Sequence, residues 1–169
     1  MKRSGIVRHP LMPLLFLGLA PALSSGAGAQ TLSTQSADAS VVIVRAASAE
    51  QAAPLDFGRV LPSATAGTMT LSPDGDLRCS GGVVCDPRGN PARFRVTGSD
   101  DLISIGVSDR VSLAGPAGET VDLQPLLSTP QLRLSGGAGE LRVGGTLAIA
   151  ANQPPGRYAG RYFLDLQYQ

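Results

Sequence analysis

Residues that could perform acid–base or nucleophilic chemistry are few in this sequence. The only histidine is His9 and the only lysine is Lys2, so both fall within the first ten residues. A serine or cysteine nucleophile needs a neighbouring base, most often a histidine. A pair of carboxylates can hydrolyse a glycoside, but most of the thirteen acidic residues stand in turn sequences, where such side chains bond the nearby backbone. We therefore expect no enzyme activity, with a carboxylate-pair hydrolase as the alternative.

Metal and phosphate sites are only weakly indicated. Asp74, Asp76 and Asp86 stand close to the cysteine pair, and hard cations such as Ca²⁺ collect carboxylates and carbonyls. The stretch D-G-D lacks the length and the terminal glutamate of a calcium loop, so turn formation is the favoured interpretation. The glycine clusters SGG, GGAG and VGG neither open a helix nor precede a Lys-Ser/Thr pair, and they are predicted to be turns or bulges. We expect no metal and no cofactor.

The first 29 residues have the three parts of a secretory signal peptide. Basic residues precede an apolar run at 11–22, and small residues follow, with Ala27 and Ala29 fitting an A-x-A cleavage site. The apolar run is shorter than the roughly 20 residues that a helix needs to cross a bilayer. We expect export, a mature chain that begins near Gln30, and no retained membrane span.

The charge balance of the exported chain argues against nucleic acid as a partner. Removal of Lys2, Arg3 and Arg8 with the signal peptide leaves eleven arginines against thirteen acidic residues, a net charge near −2. Nucleic-acid binding calls for a basic patch or stripe instead. Arg93 and Arg95 flank an apolar residue on an alternating stretch and could bind an acidic ligand, but arginines on the polar side of a strand are ordinarily its solvated face.

Cys79 and Cys85 are the only cysteines, and they are predicted to form a disulfide. An exported protein reaches an oxidising compartment, where such a pair is oxidised. A redox or metal pair is disfavoured because C-x5-C lacks the C-x-x-C spacing and no histidine could complete a zinc site. Closing so short a loop stabilises a fold by about 2 kcal/mol in the loop-entropy model, so the bond is expected to be a local clip.

Residues 41–169 are predicted to form a single all-β domain, preceded by a polar, flexible leader at 30–40. SVVIVRA (40–46) contains four consecutive β-branched residues and predicts the first strand. ASAEQAAP (47–54) could start a helical turn that Pro54 ends. In all, about nine or ten strands at intervals of roughly ten residues, joined by Gly, Pro, Asp and Ser, favour an immunoglobulin-like antiparallel β-sandwich.

The last stretch, GRYAGRYFLDLQYQ, alternates in the manner of a strand. Residues two apart share one face of a strand, and here that face is apolar or aromatic over 158–168. The residues singled out as a candidate assembly strand are Gly156, Tyr158, Tyr162, Leu164, Leu166 and Tyr168.

The order of LDFG, GTMTLSPDG, PARFRVTG, VGGTL and NQPPGRYAG, followed by a closing aromatic strand, resembles the secreted bacterial family known as domain of unknown function 4402. The resemblance covers about residues 55–169. That family is similar to spore-coat-U-like and fimbrial subunit proteins, and its members are exported by Gram-negative bacteria. The resemblance implies a β-sandwich with a surface or fimbria-like role in the periplasm, on the cell surface or in a fimbria.

The end of the sequence also resembles subunits of the chaperone–usher route, which end in an alternating strand with a glycine fourteenth from the end and an aromatic residue next to last. Gly156 and Tyr168 occupy those positions. This resemblance implies an incomplete sandwich, whose open edge a periplasmic chaperone and then the extension of a like subunit would fill.

Two features depart from the chaperone–usher pattern, and a simpler interpretation stays open. The leader TLSTQSADAS barely alternates, and the two cysteines are closely spaced. The alternative is a complete, monomeric periplasmic or surface module that binds a glycan or protein through its loops, with 158–168 as its closing strand.

Overall fold

Twelve β-strands and no helix make up the part of the chain that this computed structural model describes, residues 40–169. Short segments that alternate apolar and polar residues form these strands, because one face of each can be buried while the other stays in water. In chain order the strands are β1 Ser48–Ala53, β2 Val60–Leu61, β3 Gly67–Leu71, β4 Leu77–Gly81, β5 Val84–Cys85, β6 Ala92–Thr97, β7 Leu102–Val107, β8 Val111–Ala114, β9 Thr120–Leu127, β10 Gln131–Arg133, β11 Ala138–Ile149 and β12 Leu164–Tyr168.

The longest strand, β11, has 12 residues and organises the larger sheet. Along one edge it pairs antiparallel first with β6, where Val143 lies opposite Ala92, and then with β3, where Gly145 lies opposite Leu71. Along its other edge it pairs with β9, where Val143 lies opposite Leu127. Strands β1, β4 and β8 extend this sheet by pairing with β6, β3 and β9, respectively.

Gly144 lies where β6 gives way to β3 along β11. A Cβ atom at this position would collide with the main-chain carbonyl of Leu71 and with the backbone of Ser72 and Pro73. The close approach of the strands therefore requires a residue without a side chain. The VGG cluster was predicted to be a turn or bulge, and that prediction is wrong because all three residues lie inside β11.

A second sheet, in the order β10-β7-β12, packs over one half of the larger sheet. Ile103 and Ile105 of β7 pack in one buried cluster with Ala92 and Val96 of β6 and with Leu141 of β11. Two sheets with a hydrophobic core between them form a β-sandwich. The predicted all-β antiparallel sandwich is confirmed, with twelve strands in the described residues where nine or ten were expected.

A second buried cluster lies around Met69, Leu123 and Leu147, at the other half of β11. A disulfide joins Cys79 of β4 to Cys85 of β5, with the two Cα atoms 6.3 Å apart, and both residues pack against this cluster. The predicted disulfide is confirmed. It ties the short β2–β5 sheet to the edge of the larger sheet.

The prediction for the first strand is wrong. Residues 40–47 form no strand, and β1 is the next stretch, SAEQAA, where a helical turn was considered. Strand β1 pairs with β6 at the edge of the larger sheet, and its first five residues are exposed. An edge strand that buries so little needs backbone pairing more than apolar side chains, and small or polar residues suit that position.

Several predictions fall on residues that the structure does not describe. The signal peptide at 1–29, its cleavage site at Ala27 and Ala29, and the leader at 30–40 lie outside the described residues, apart from Ser40. Within the described part, Val41–Gln169 forms one compact unit. None of the described residues belongs to a helix that is long and apolar enough to cross a membrane.

Candidate assembly edge

Strand β12 has an edge with no neighbour. It pairs antiparallel with β7, from Leu164 opposite Val107 to Tyr168 opposite Ile103, and no second strand among residues 40–169 pairs with it. A strand at such an edge presents unpaired N–H and C=O groups, and these can template pairing with another chain.

Hydrogen bonds at the two ends of β12 identify which groups face that edge. The Ser108 N–H donates to the Phe163 carbonyl at 3.2 Å, and the Gln169 N–H donates to the Leu102 carbonyl at 3.1 Å. In an antiparallel ladder, both main-chain groups of a residue face the same side, and the side alternates along the strand. Odd-numbered residues therefore bond β7, while the main-chain groups of three even-numbered residues face the open edge: Leu164, Leu166 and Tyr168.

The side chains of the same three residues point into the sandwich but are only partly buried. They pack against the cluster that holds Ile103 and Ile105, which are 0% and 5% exposed. Phe94 and Leu55, from the larger sheet and the loop after β1, are also partly buried against this cluster. Both walls of the sandwich thus keep incompletely covered apolar surface, which we call the β12 cleft: Leu55, Phe94, Tyr162, Leu164, Leu166 and Tyr168.

Tyr168 fixes one end of the β12 cleft. Its hydroxyl donates to the Arg45 carbonyl at 2.5 Å and accepts from the Ser99 N–H at 2.8 Å. The Arg45 N–H in turn donates to Ser99 Oγ at 2.7 Å. Gly98 makes room for this arrangement, because a Cβ atom there would collide with the Tyr168 hydroxyl. The last strand is therefore bonded to the chain just before β1, which places both edges on the same side of the sandwich.

Tyr162 spans the two sheets at the other end of the cleft. Its ring meets that of Phe94 edge to face, with ring centroids 6.3 Å apart. Its hydroxyl is buried and has no hydrogen-bond partner among the described residues. Burial disfavours the tyrosinate and raises the pKa of Tyr162 from 10.0 to about 12. An unpartnered buried hydroxyl is energetically costly, so this site favours any arrangement that brings an acceptor to it.

The predicted assembly strand is shorter than expected, because the chain changes sheets within it. Gly156, Tyr158 and Tyr162 all lie outside β12, which begins at Leu164. A Cβ atom on Gly156 would contact the ring of Pro116, and Ala159 pairs with Ala114 at the end of β8. The Tyr158 hydroxyl donates to the Pro154 carbonyl at 2.8 Å.

Tyr158 therefore belongs to the other cluster. It packs with the residues around Met69, whereas Tyr162 and the three inward residues of β12 pack with the cluster around Ile103. Burial is the main cause that raises the pKa of Tyr158, and the nearby Glu119 acts in the same direction. The alternation in the sequence is real, but it describes two short segments on different sheets.

The apolar segment 41–44, VVIV, was predicted to be the first strand but forms none. It is not paired, and its residues are 82%, 86%, 89% and 47% exposed. Four consecutive β-branched residues favour a strand that is covered on both faces. A run of this kind in water is an exposed apolar patch, which is unusual on the surface of a monomeric protein.

Shallow cavities on the larger sheet hold the charged residues that the sequence singled out. One, of about 560 Å³, is lined by Asp56, Asp74, Asn90, Arg93 and Arg142, among others. A second, of about 490 Å³, is lined by both predicted arginines, Arg93 and Arg95, together with Glu140. Arg142 Nε donates to Glu140 Oε1 at 2.8 Å, and this bond holds the pKa of Glu140 below its ordinary value.

The acidic residues near the disulfide do not gather into a metal site. Asp74 lies 3.8 Å from Arg142, and Asp86 lies 3.5 Å from Arg88. Among residues 40–169, no three His, Cys, Asp or Glu side chains are grouped so that they could hold a metal ion.

Comparison with known proteins gives one match. The model of the family described as "Domain of unknown function (DUF4402)" matches residues 44–168. Neither the curated proteins nor the solved structures contain a match to this chain.

Proposed function

The chain belongs to the family described as domain of unknown function (DUF4402), and we propose that it is an exported, non-enzymatic structural subunit of a fimbria-like or surface assembly. The single observation that carries this proposal is the open edge of β12 over a partly covered apolar cleft. In the proposed function, the cleft is filled by another polypeptide, either a like subunit or a periplasmic chaperone. Pairing of an extended segment with a free sheet edge is a recurrent mode of recognition, with main-chain bonds for affinity and pockets for specificity.

Two observations support a structural rather than a catalytic role. Asp56 and Asp74 line the same cavity, but both are exposed. A carboxylate pair that hydrolyses glycosides needs one carboxyl in an apolar environment shielded from water, whereas both of these side chains are exposed. The described residues also contain no histidine or lysine that could act as a base.

Export is supported by the disulfide and by the sequence pattern at residues 1–29. A disulfide persists in an oxidising compartment and is rare in the cytosol of mesophiles. The Cys79–Cys85 bond fits such a compartment. We place the assembled subunit on the cell surface or in a fimbria, and its unassembled form in the periplasm.

Expression of the full chain with export, followed by electron microscopy and light scattering of the recovered protein, tests the assembly role. We expect concentration-dependent oligomers or filaments, because an uncovered cleft favours pairing between chains. A protein that stays monomeric at high concentration, and that refolds alone to the same stability, would contradict the proposal.

A second candidate is a complete monomeric module that binds a glycan or protein ligand. The cavity of about 560 Å³ favours it, because its carboxylates, guanidinium groups and amide supply donors and acceptors for a hydroxylated ligand. A glycan array probed with the wild-type protein and with Arg93→Ala tests this function. Binding that the substitution abolishes, by a protein that remains monomeric, would favour the second candidate over the first.

A further inference from the structure

We propose that the cavity of about 560 Å³ on the larger sheet binds one unit of an acidic polysaccharide, a uronic acid, and that Arg93 holds its carboxylate. The inference goes beyond the structural role. It deepens the second candidate function, on which it rests, by naming the class of glycan. Arg93 and Phe94 are consecutive in β6 and therefore point to opposite faces of the sheet. The cavity thus lies on the face away from the β12 cleft, and binding need not compete with assembly.

The outer face of β6 carries two exposed arginines, Arg93 and Arg95, whose cross-strand neighbours differ. Arg95 lies opposite Glu50 of β1 on one side and opposite Glu140 of β11 on the other. Side chains directly opposite each other in a sheet interact, and opposite charges in such positions are stabilising. The surroundings of Arg95 are those of an ordinary solvated sheet face.

Arg93 has no such neighbours. It lies opposite Ala53 of β1 on one side and opposite another arginine, Arg142 of β11, on the other. Like charges directly opposite each other destabilise a sheet. Stability of the sheet therefore does not account for a pair of arginines at this position.

Only one member of this pair has its charge matched by the protein. Arg142 donates to Glu140 at 2.8 Å and lies 3.8 Å from Asp74. Arg93 takes part in none of the ion pairs formed within residues 40–169. The cavity therefore contains one guanidinium whose charge no carboxylate contacts.

A single carboxylate suits this guanidinium better than a phosphate does. Arginine binds a carboxylate through two parallel N–H···O bonds, which fix the orientation as well as the charge. A phosphate dianion would call for a second free cation, but Arg142 is already engaged. The carboxylates of Asp56 and Asp74 line the same cavity and would repel the second negative charge.

Asp56 and Asn90 supply groups for the hydroxyls of a sugar, and their main chains are fixed. The Asp56 N–H donates to the Asn90 carbonyl at 2.9 Å, and the Asn90 N–H donates to the Asp56 carbonyl at 2.7 Å. One oxygen of the Asp56 carboxylate accepts the Gly58 N–H at 2.8 Å. The other carboxylate oxygen and the Asn90 amide can bind hydroxyl groups, which both donate and accept hydrogen bonds.

The remaining wall of the cavity is apolar and rigid. It is formed by Ala53 and by three prolines, Pro54, Pro73 and Pro91, whose rings fix the backbone. Such a wall can pack against the C–H face of a sugar ring. The volume falls within the roughly 300–1,000 Å³ of small-molecule sites, and because the cavity is shallow, a polysaccharide can continue past it in both directions.

Isothermal titration calorimetry of the full exported chain tests the ligand class. The probes are tetrasaccharides of galacturonic, glucuronic, mannuronic and guluronic acid, each compared with its methyl ester, which keeps the ring and hydroxyls but removes the charge. We expect at least one acid to bind and its ester to have an association constant lower by about tenfold or more, a change of about 1.4 kcal/mol. An ester that binds as tightly as its acid, or a panel in which no acid binds, would overturn the inference.

Substitutions at the two arginines of β6 test the assigned residue. We expect Arg93→Ala to lower the association constant for the acid by about tenfold or more, and Arg95→Ala, the matched control, to change it less than about twofold. Arg93→Lys keeps the charge but loses the two-bond geometry, so it should fall between wild type and Arg93→Ala. Because Arg93→Ala removes a like-charged neighbour of Arg142, its urea midpoint should be no lower than that of the wild type.

A double-mutant cycle between Arg93→Ala and the methyl ester isolates the contact. If Arg93 holds the carboxylate, the ester binds wild type and Arg93→Ala about equally, because either change alone removes the same interaction. Additive losses from the two changes would overturn the role of Arg93. Displacement of the acid by equimolar inorganic phosphate would overturn the preference for a carboxylate.

Two further measurements separate this inference from the proposed functions. Tetrasaccharides of galactose and mannose that bind as tightly as the acids, and that Arg93→Ala releases, would support the second candidate function and overturn the acidic ligand class. Light scattering of the same samples measures assembly independently of the ligand. Acid binding that is lost in Arg93→Ala supports the inference in monomers and in oligomers alike, and only the oligomers support the structural role.

Discussion

The titration of Tyr162 measures how far its hydroxyl is shielded from water at the β12 cleft. Its hydroxyl is buried without a partner, and burial raises the pKa of Tyr162 from 10.0 to about 12. Tyr162→Phe removes the hydroxyl and keeps the ring against Phe94. At neutral pH we expect this variant to be as stable as the wild type or more stable, because a desolvated hydroxyl without a partner costs about 1–3 kcal/mol.

The same residue makes stability depend on pH in the alkaline range. Because the folded-state pKa of Tyr162 is raised, the unfolded chain loses its phenolic proton first, and the free energy of unfolding falls as pH rises from about 10 to 12. The stabilising contribution is fully present below pH 10. At pH 11 the Tyr162 titration lowers the free energy of unfolding by at most about 1.4 kcal/mol, and water at the exposed part of the ring reduces this loss to about 1 kcal/mol.

Urea unfolding followed by circular dichroism at pH 8, 10 and 11 measures this difference, and absorbance at 295 nm follows tyrosinate formation. The sequence has only three tyrosines, so the other two serve as matched controls. Tyr168→Phe loses one donated and one accepted hydrogen bond, and we expect it to cost about 1–2 kcal/mol at pH 7. Tyr158→Phe loses the bond donated to Pro154 and the bond accepted from Gln153, both at the other cluster, and leaves the Tyr162 titration in place.

The decisive comparison is the loss of stability between pH 8 and pH 11 in wild type and in Tyr162→Phe. We expect the variant to lose about 1 kcal/mol less than the wild type over this range. Equal losses, with a Tyr162 that titrates near pH 10, would refute the argument that the Tyr162 hydroxyl is shielded from water. In assembled protein, an acceptor for the hydroxyl would raise the pKa of Tyr162 further.

Two further predictions concern the scaffold. Gly144→Ala should lower the free energy of unfolding by about 3 kcal/mol or more, because its Cβ atom meets the Leu71 backbone. The control is Gly106→Ala in β7, whose Cβ atom would lie 3.6 Å from Asp165 and which should change the free energy of unfolding little. A shift of similar size in the urea midpoints of both variants would contradict this prediction. Replacing both Cys79 and Cys85 by serine should lower the free energy of unfolding by about 2 kcal/mol without loss of β-structure by circular dichroism, and a variant that fails to fold would mean that the disulfide is more than a local clip.

Most strands could be predicted from the sequence because their alternation matches their burial. In β6, the apolar residues Ala92 and Val96 are fully buried, and Arg93 and Arg95 are exposed between them. The disulfide could be predicted equally well, since only one pairing of two cysteines exists within the chain. These features depend on local pattern alone, which is what a single sequence contains.

The first strand could not be predicted because pairing, not propensity, decides it. VVIV has the higher β-propensity. SAEQAA nevertheless forms the strand, because it lies opposite β6 and pairs with it from Ser48 to Ala53. The change of sheets before β12 was hidden for a related reason. Tyr158 and Tyr162 keep the same alternation in the sequence while they pack in different clusters. Gly144 depends on a contact with Leu71, more than seventy residues away.

The two open edges on this side of the sandwich differ in a way that bears on assembly. Proteins protect exposed edges with charges, bulges or prolines that discourage pairing. Strand β1 carries Glu50 and an irregularity between Gln51 and Ala53, and its side chains are almost all exposed. Strand β12 also carries an acidic residue, Asp165, but it has five regular pairs with β7, no proline, and apolar side chains under its free edge.

The irregular register of β1 and the regular register of β12 make β12 the better template for an added strand. A strand added at β12 would cover apolar surface that is now partly exposed, while β1 would gain little from the same addition. In the assembly that we propose, only the β12 edge of each copy is therefore suited to accept an added strand. A head-to-tail contact through one acceptor edge per copy gives an open chain or a closed ring, and the open chain is the outcome that suits the fimbria-like subunit we propose.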